Sequence, residues 1–206
     1  MFDWISGIIE SGGYLGLLFL TFIENVFPPI PSELIMPFAG YIAGQKDGNM
    51  SFWLAVLVGT LGSTLGSLPL YYAGKTLGEK RLKELADKYG AWLTLSGEDI
   101  TKAKKWFDTH GWLAVFGCRM VPGVRSLIAI PAGISQMSMT PFLLLTFAGS
   151  FLWIFFLTTL GYFLGGSFKA VDKFLGPVSY LIVGGLIAFG AFKVWKRKQR
   201  QSKKSR

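Results

Sequence analysis

Two arginines, Arg119 and Arg125, stand close together inside an apolar stretch that runs from about residue 112 to residue 134. This stretch is too apolar to be a surface loop of a soluble protein. Placing a cation in hydrocarbon costs about 2.5 kcal/mol or more, so an arginine inside a membrane segment indicates a functional site with a partner group. The candidate partners are two acids upstream, Glu24 and Glu33, which flank a proline-rich segment.

The composition favours a membrane protein. Hydrophobic residues make up 51% of the 206 positions, and the mean hydropathy is +0.43. Windows of about 20 apolar residues are the signal for spanning helices, and they predict three full transmembrane helices at about residues 52–74, 141–165 and 177–195. Two further apolar regions, about 14–44 and 112–137, are broken near the middle by proline and charge. We expect each to be a re-entrant helical hairpin, because irregular backbone at membrane depth is tolerated only where protein or a water-filled cavity covers it.

The remaining segments are amphipathic or basic. Residues 1–13 predict an interfacial amphipathic helix, and residues 78–110 predict cytoplasmic amphipathic helices. The net charge is +9, and much of it falls in residues 75–105 and in the tail, residues 196–206. By the positive-inside rule both basic segments, and therefore the C-terminus, are expected in the cytoplasm. We expect the tail to contact anionic lipid rather than nucleic acid. Residues 14–195 then form a single transmembrane domain.

The two predicted hairpins are related in sequence. Pro29 and Pro122 stand at the same distance before an Ala-Gly pair, at residues 39–40 and 132–133. With both basic segments in the cytoplasm, the hairpins enter the membrane from opposite faces. The predicted fold is therefore an all-α polytopic membrane protein with two oppositely oriented re-entrant hairpins in an inverted repeat, which points to a transport site at the bilayer midplane. The predicted hairpin breaks are Pro28, Pro29, Pro31, Pro122 and Gly123.

The charges define a candidate site for an anionic head group. Opposed hairpins are expected to bring the two acids, Glu24 and Glu33, close to the two arginines. A phosphate group can compete with the carboxylates for the guanidinium groups, and Ser126 is a further candidate contact. Protonation of a carboxylate would release an arginine to the phosphate and link binding to a proton gradient. The alternative is a permanent salt-bridge lock that holds the two hairpins together.

Catalysis is not expected from the available residue types. The chain contains one cysteine, Cys118, and one histidine, His110. This excludes a disulfide within one chain and most zinc and triad chemistry. A nucleophile at Ser126 or Ser32 has no visible base. We therefore predict no enzyme activity, no metal and no cofactor. The alternatives of other classes are a membrane phosphatase and a scaffold without transport activity. A scaffold gives no reason to bury four charges.

The sequence resembles the DedA family of bacterial membrane proteins, within the SNARE-associated or VTT-domain superfamily. The resemblance covers about residues 14–192. It rests on Phe-Ile-Glu-Asn at 22–25 with the following prolines, on the glycine-rich span 59–74, and on the Arg-x-x-Pro-x-x-Arg element at 119–125. It implies a lipid transporter of the bacterial cytoplasmic membrane with essential acids and arginines. Glu24 matches the first acid, Arg119 and Arg125 match the arginines, and Glu33 stands in Pro-Ser-Glu where the family often has Pro-Gly-Asp.

Within that family, the Phe-Pro-Pro-Ile-Pro-Ser-Glu form at 27–33 is similar to the members that return undecaprenyl phosphate from the outer to the inner leaflet for cell-wall synthesis. Two arginines suit a phosphomonoester better than a zwitterion. The expected partner is therefore undecaprenyl phosphate, with proton-linked transport. The alternative cargo is phosphatidylethanolamine or another phospholipid. The sequence leaves the oligomeric state open, including a homo-oligomer.

Overall fold

The computed structural model describes residues 2–26, 32–46, 48–89, 97–121 and 124–163. Within these ranges the regular secondary structure is entirely α-helical, which confirms the predicted all-α class. The helices are α1 (Phe2–Val26), α2 (Ser32–Gly44), α3 (Phe52–Tyr89), α4 (Gly97–Cys118), α5 (Ala129–Ile134) and α6 (Met139–Phe163).

Three segments of these helices are long and apolar enough to cross a membrane: Trp4–Val26, Phe52–Asp87 and Met139–Phe163. One of them contains the predicted span 52–74, and another contains residues 141–163 of the predicted span 141–165, whose last two residues lie outside the described ranges. The sequence assigns the other, Trp4–Val26, to the interfacial helix and the first arm of a hairpin, so its path through the bilayer stays a prediction. Large apolar side chains such as Leu57, Leu144 and Phe156 point away from the protein, as expected for a surface that contacts lipid.

Several predicted features lie outside the described residues. They include the span 177–195, the basic tail 196–206, and all five predicted hairpin breaks, namely Pro28, Pro29, Pro31, Pro122 and Gly123. The re-entrant geometry of both hairpins, their orientation and the domain boundaries therefore stay predictions.

Three of the helices are sharply kinked at a glycine. The backbone adopts φ 53° and ψ −130° at Gly13 in α1, and almost the same pair, φ 52° and ψ −125°, at Gly111 in α4. The third kink is at Gly78 in α3, with φ 67°. A positive φ is costly for residues with a side chain beyond the α-carbon, so glycine is the residue that permits these kinks. They fall at or beside the predicted ends of the interfacial and amphipathic segments.

Helices α3 and α6 are antiparallel, as shown by contacts that run in opposite order along the two helices. The contacting pairs are Phe52 with Tyr162, Gly59 with Ile154, Ser63 with Ser150, and Tyr71 with Phe142. Ser63 and Ser150 are 87 positions apart, and their hydroxyl oxygens are 3.3 Å apart. The same separation of 87 positions is found between Gly62 and Gly149 and between Gly74 and Gly161.

The short helices pack on the long helix of the other half. Gly40 of α2 lies against the backbone of Thr158 and Tyr162 in α6, and Gly133 of α5 lies against the backbone of Tyr71 and Lys75 in α3. Thr158 follows Tyr71, and Tyr162 follows Lys75, by the same number of positions that separates Ser150 from Ser63. The two contacts are therefore equivalent, as expected for two halves related by a two-fold axis close to the Ser63–Ser150 contact.

A polar contact outside the apolar helices ties α4 to the end of α5. Ser135 Oγ donates to Asp108 Oδ1 at 2.6 Å, and Lys104 Nζ contacts Asp108 Oδ2 at 2.5 Å. The hydrogen bond from Lys104, together with that from Ser135, holds the pKa of the Asp108 carboxyl below its usual value. This contact joins α4 to the residue that follows α5, and so ties together two positions on either side of the segment that carries the two arginines.

Candidate functional site

Arg119 is the first residue after α4, and its side chain turns into the protein. It is 1% exposed. Its Nη1 donates to Asn25 Oδ1 at 3.1 Å and lies 3.5 Å from Ser150 Oγ. A cation at this position is also favoured by the negative end of the α4 dipole. One side of the guanidinium group is therefore held by neutral oxygens from α1 and α6.

The other two nitrogens of Arg119, Nε and Nη2, have no hydrogen-bond partner among the described residues. These two N–H groups lie on one edge of the guanidinium and form the fork that binds carboxylate or phosphate in a bidentate manner. The hydroxyl of Thr146, which is fully buried on α6, also lacks a partner within the same ranges. An unsatisfied buried polar group costs about 1–3 kcal/mol. The Nε/Nη2 edge of Arg119 therefore favours a ligand with oxygens that accept both N–H groups, which is the chemistry of an oxyanion site.

A glycine makes room for Arg119 on α6. A Cβ added at Gly149 would lie 2.7 Å from the Arg119 Cβ and 3.0 Å from the carbonyl oxygen of Phe116. Such distances are below van der Waals contact, so a larger residue would displace the end of α4. The sequence therefore allows the α4 backbone to approach α6 closely at the residue where the arginine enters the protein.

Arg125 has a different partner. Its Nη2 forms an ion pair with Glu24 Oε1, and the two side chains are 7% and 5% exposed. Both charges are thus buried and opposed to each other, which is the condition under which buried charges are tolerated. Glu24, Arg119 and Arg125 together carry two positive charges against one negative charge, so this cluster retains a net charge of +1.

Asn25 lies between the two arginine environments and is fully buried. Its Oδ1 accepts from Arg119 Nη1 and, at 3.4 Å, from Ser126 Oγ. Its Nδ2 donates to Ser63 Oγ at 3.0 Å. The predicted contact residue Ser126 is therefore in the cluster, where it faces Asn25.

The remaining predicted site residue, Glu33, is not part of this network. It lies half-buried in the first turn of α2. Within the described ranges the structure gives it no ion pair with Arg119 or Arg125. The structure thus brings together Glu24, Arg125, Arg119 and Ser126, whereas a role for Glu33 stays a prediction.

Sequence analysis did not assign a role at the site to Asn25, Ser63 or Ser150. Asn25 directly follows Glu24 in the Phe-Ile-Glu-Asn element, which is a signal that was available. The two serines carry no comparable signal, because serine is common in membrane helices and hydrogen-bonds readily to its own helix. Only their three-dimensional contact identifies them.

Comparison with known proteins identifies the family of the chain. Residues 30–163 match the family model described as the VTT domain, and this range contains α2 to α6 with both arginines. The chain belongs to the VTT-domain family of membrane proteins, to which the DedA proteins belong. No solved structure matches the chain.

Several relatives match almost the whole chain. A protein of Lactococcus lactis subsp. lactis (strain IL1403) named alkaline phosphatase-like protein is 38% identical, over 97% of this chain and 94% of its own length. Undecaprenyl phosphate transporter A of Staphylococcus aureus is 34% identical, over 95% of this chain and 97% of its own length. Undecaprenyl phosphate transporter A of Bacillus subtilis is 32% identical, over 87% and 86% respectively.

Proposed function

We propose that this chain transports a lipid phosphate, undecaprenyl phosphate, from the outer to the inner leaflet of the bacterial cytoplasmic membrane. The observation that carries the proposal is the buried guanidinium of Arg119, whose Nε and Nη2 donors have no partner among the described residues. A phosphomonoester presents oxygens that match this bidentate edge. The names of the Staphylococcus aureus and Bacillus subtilis relatives support the same cargo.

The Glu24–Arg125 pair supplies a route for proton linkage. While Glu24 is ionised, it occupies Arg125. Protonation of Glu24 would remove that competition and leave a second guanidinium for the head group. The lipid phosphate would then be held by both arginines at the level of the Ser63–Ser150 contact, with its tail directed toward the exposed apolar side chains. Release of the proton on the other face would restore the ion pair and expel the anion.

A phosphatase is the second candidate, because the Lactococcus lactis relative is named alkaline phosphatase-like. Hydrolysis of a phosphate ester needs a nucleophile or an activated water next to the bound phosphate. Within the described ranges no three His, Cys, Asp or Glu residues are grouped so that they could hold a metal. His110 lies on the far side of the α4 kink, where its ring stacks on Trp106 and its Nδ1 contacts the Trp106 carbonyl. The residues around Arg119 therefore favour binding over hydrolysis.

The proposal is tested by reconstituting the protein in liposomes and following labelled undecaprenyl phosphate between the leaflets, with and without a pH gradient. Arg119→Lys keeps the charge but lacks the fork, so we expect transport to fall by about tenfold or more, as for loss of a hydrogen bond to a charged group. The matched control is Arg81→Lys, which changes an exposed arginine and should leave the rate unchanged.

Two further measurements decide between the alternatives. Movement of phosphatidylethanolamine but not of the prenyl phosphate would establish the phospholipid function instead. Release of inorganic phosphate from the lipid would establish the phosphatase. If neither lipid moves and no phosphate is released, the charged cluster is a structural lock and the transport proposal is wrong.

A further inference from the structure

The amide of Asn25 is at the centre of the hydrogen bonds between the two halves of the protein. Its oxygen faces two donors, Arg119 Nη1 at 3.1 Å and Ser126 Oγ at 3.4 Å. Its nitrogen faces two acceptors, the carbonyl oxygen of Thr21 at 3.0 Å and Ser63 Oγ at 3.0 Å. Ser63 Oγ in turn lies 3.3 Å from Ser150 Oγ. One fully buried side chain therefore connects α1, α3, α6 and the segment that carries the arginines.

An amide is the side chain that fits this position. A primary amide offers a carbonyl acceptor on one side and two N–H donors on the other. A carboxylate at the same place would be unable to donate to Thr21 and Ser63, and an apolar side chain would leave Arg119 Nη1 with only the longer contact to Ser150 Oγ among the described residues. Gly66 lets α3 approach at this point, since a Cβ there would lie 2.9 Å from the Asn25 Cβ. The amide is thus fixed both by its hydrogen bonds and by its packing.

Two consecutive residues of α1 treat the two arginines differently. Glu24 is ionic and holds Arg125, whereas Asn25 is neutral and holds Arg119. The neutral partner fixes the orientation of the Arg119 guanidinium without compensating its charge. A charge that is held in place but left uncompensated in a site of low dielectric attracts an anion most strongly.

We propose that Asn25 is a positioning residue for transport, which holds Arg119 by one nitrogen so that its Nε/Nη2 edge is presented to the lipid phosphate with its charge uncompensated. This inference rests on the proposed function. Its specific content is that the neutrality of residue 25, and not only its size and hydrogen bonds, sets the affinity for the anion.

The decisive comparison is Asn25→Asp against Asn25→Leu, because both side chains have the same number and branching of heavy atoms as asparagine. The probe is farnesyl monophosphate added to the detergent-solubilised protein, with farnesol and inorganic phosphate as separate arms. At pH 8 a carboxylate at position 25 would pair with Arg119 and compete with the probe. We expect the farnesyl phosphate affinity of Asn25→Asp to fall by about tenfold or more, as for loss of a hydrogen bond to a charged group. We expect the same loss at pH 5.5, because pairing with Arg119 lowers the pKa of the carboxyl below its ordinary value of about 3.9 and keeps it ionised.

The other charged groups of this region are common to all the variants. They are Glu24 on α1, and Arg119 and Arg125 between α4 and α5. Helix α2 carries one acid, Glu33, and residues 52–74 of α3 and 139–163 of α6 contain no charged residue. All of these groups are unchanged in Asn25→Leu, so that variant, measured at both pH values, is the control. It loses the amide hydrogen bonds without gaining a charge, and should therefore bind more weakly than the wild type but more tightly than Asn25→Asp at both pH values.

A second readout needs no ligand. If Asp at position 25 pairs with Arg119, the melting temperature of Asn25→Asp relative to the wild type should stay constant between pH 5.5 and pH 8, since the pKa of the paired carboxyl lies below its unfolded value of about 3.9 and the group is ionised in both the folded and the unfolded chain over this range. In the double variant Asn25→Asp/Arg119→Gln the relative melting temperature should fall over the same range, because burial without a cation raises the pKa of the carboxyl. Such a fall in the single variant Asn25→Asp would overturn the inference, because it would mean that the new carboxylate is buried without Arg119 as its partner.

The binding outcomes separate the two proposals. If the wild type binds farnesyl phosphate better than farnesol or inorganic phosphate, and Asn25→Asp matches it at pH 8, the proposed function stands and the inference is wrong. If the wild type binds farnesyl phosphate no better than farnesol, the proposed function fails and the inference fails with it. Preference for inorganic phosphate over farnesyl phosphate also contradicts both, because the site would then recognise a free anion.

Discussion

Arg119 and Arg125 differ in how their charges are compensated, although only a short segment separates them. The Arg125 guanidinium is neutralised by Glu24, whereas among the described residues the Arg119 guanidinium is held only by the neutral oxygens of Asn25 and Ser150. A buried ion pair contributes little net stability, but removal of one partner leaves the other charge buried and uncompensated. The two arginines should therefore respond differently to substitution.

Replacement of Arg125 by glutamine is expected to destabilise the protein by about 3–5 kcal/mol, because Glu24 is then buried without its partner. The double variant Glu24→Gln/Arg125→Gln should recover most of that loss, since two neutral amides remain. Thermal unfolding in detergent measures both effects. Lys102→Gln, which removes the exposed ion pair with Glu98, is the control and should leave the melting temperature unchanged. Equal destabilisation of the single and double variants would contradict the assignment of Glu24 as the partner of Arg125.

The cost of burying charge is what makes part of this site visible in the sequence. This cost identifies Arg119, Arg125 and Glu24. In the structure Glu24 contacts Arg125, and the next residue, Asn25, contacts Arg119. The same argument does not show which arginine pairs with the acid, because that depends on how α1 packs against the segment after α4. It is also silent about Asn25, since a neutral amide in an apolar helix costs less than a charge and has many structural uses.

At the level of helices, the contacts of α5 on α3 and of α2 on α6 depend on glycine. The Gly133 backbone meets the Tyr71 and Lys75 backbone so closely that an added Cβ would lie 2.8 Å from the Lys75 nitrogen. Backbone atoms cannot move aside as a flexible side chain can. Sequence analysis did not assign this role to Gly133, although small residues at regular spacing are a signal for close helix packing in membranes.

Gly133→Ala is therefore expected to reduce the free energy of unfolding by about 1–3 kcal/mol, as for overpacking of a core. The matched control is Gly117→Ala in α4, because no heavy atom lies within 4 Å of the Cβ position there. That control should leave stability unchanged or raise it slightly, since alanine is the better helix former. The measurement is thermal unfolding in the same detergent. A loss of similar size for both variants would show that the α3–α5 contact is not the cause.

Helix boundaries were partly predictable. The helical periodicity and the apolar runs indicate where α3 and α6 lie, and the prolines separate α1 from α2. The sequence predicts that the amphipathic segment ends at residue 110, and it does not show that α4 is continuous. In the structure the chain continues as helix after a kink at Gly111. A glycine in sequence does not distinguish a stop from a kink, since the difference depends on whether the next turn finds a surface to pack against.

For the molecule as a whole, the untested prediction is the orientation of its two halves in the membrane. The loop after α2 is expected on the outer face, and the turn after α5 on the cytoplasmic face. Lys46 and Gln136 are exposed in these two places. In a Cys118→Ser background, a membrane-impermeant maleimide applied to spheroplasts should label Lys46→Cys, and should label Gln136→Cys only after permeabilisation.

Lys80→Cys, in the predicted cytoplasmic segment, is the control for a site that the reagent reaches only after permeabilisation. If Lys46→Cys and Gln136→Cys react from the same side, the hairpins are not opposed and the inverted-repeat topology is wrong. If Lys80→Cys reacts in intact spheroplasts while Gln136→Cys does not, the basic middle segment has been assigned to the wrong face.

The contact between Ser63 and Ser150 has an evolutionary consequence. In a two-fold symmetric pair, only a residue on the axis meets its own copy, so this contact points to an ancestor in which one half-length chain associated with a second, inverted copy. In such a pair every site occurs twice and both faces of the membrane are equivalent. Here the Ala-Gly register gives Arg125 the counterpart Ser32, so the second guanidinium has no cationic equivalent in the first half. If the two halves arose in this way, their fusion would have allowed them to diverge and would have given a symmetric framework a direction.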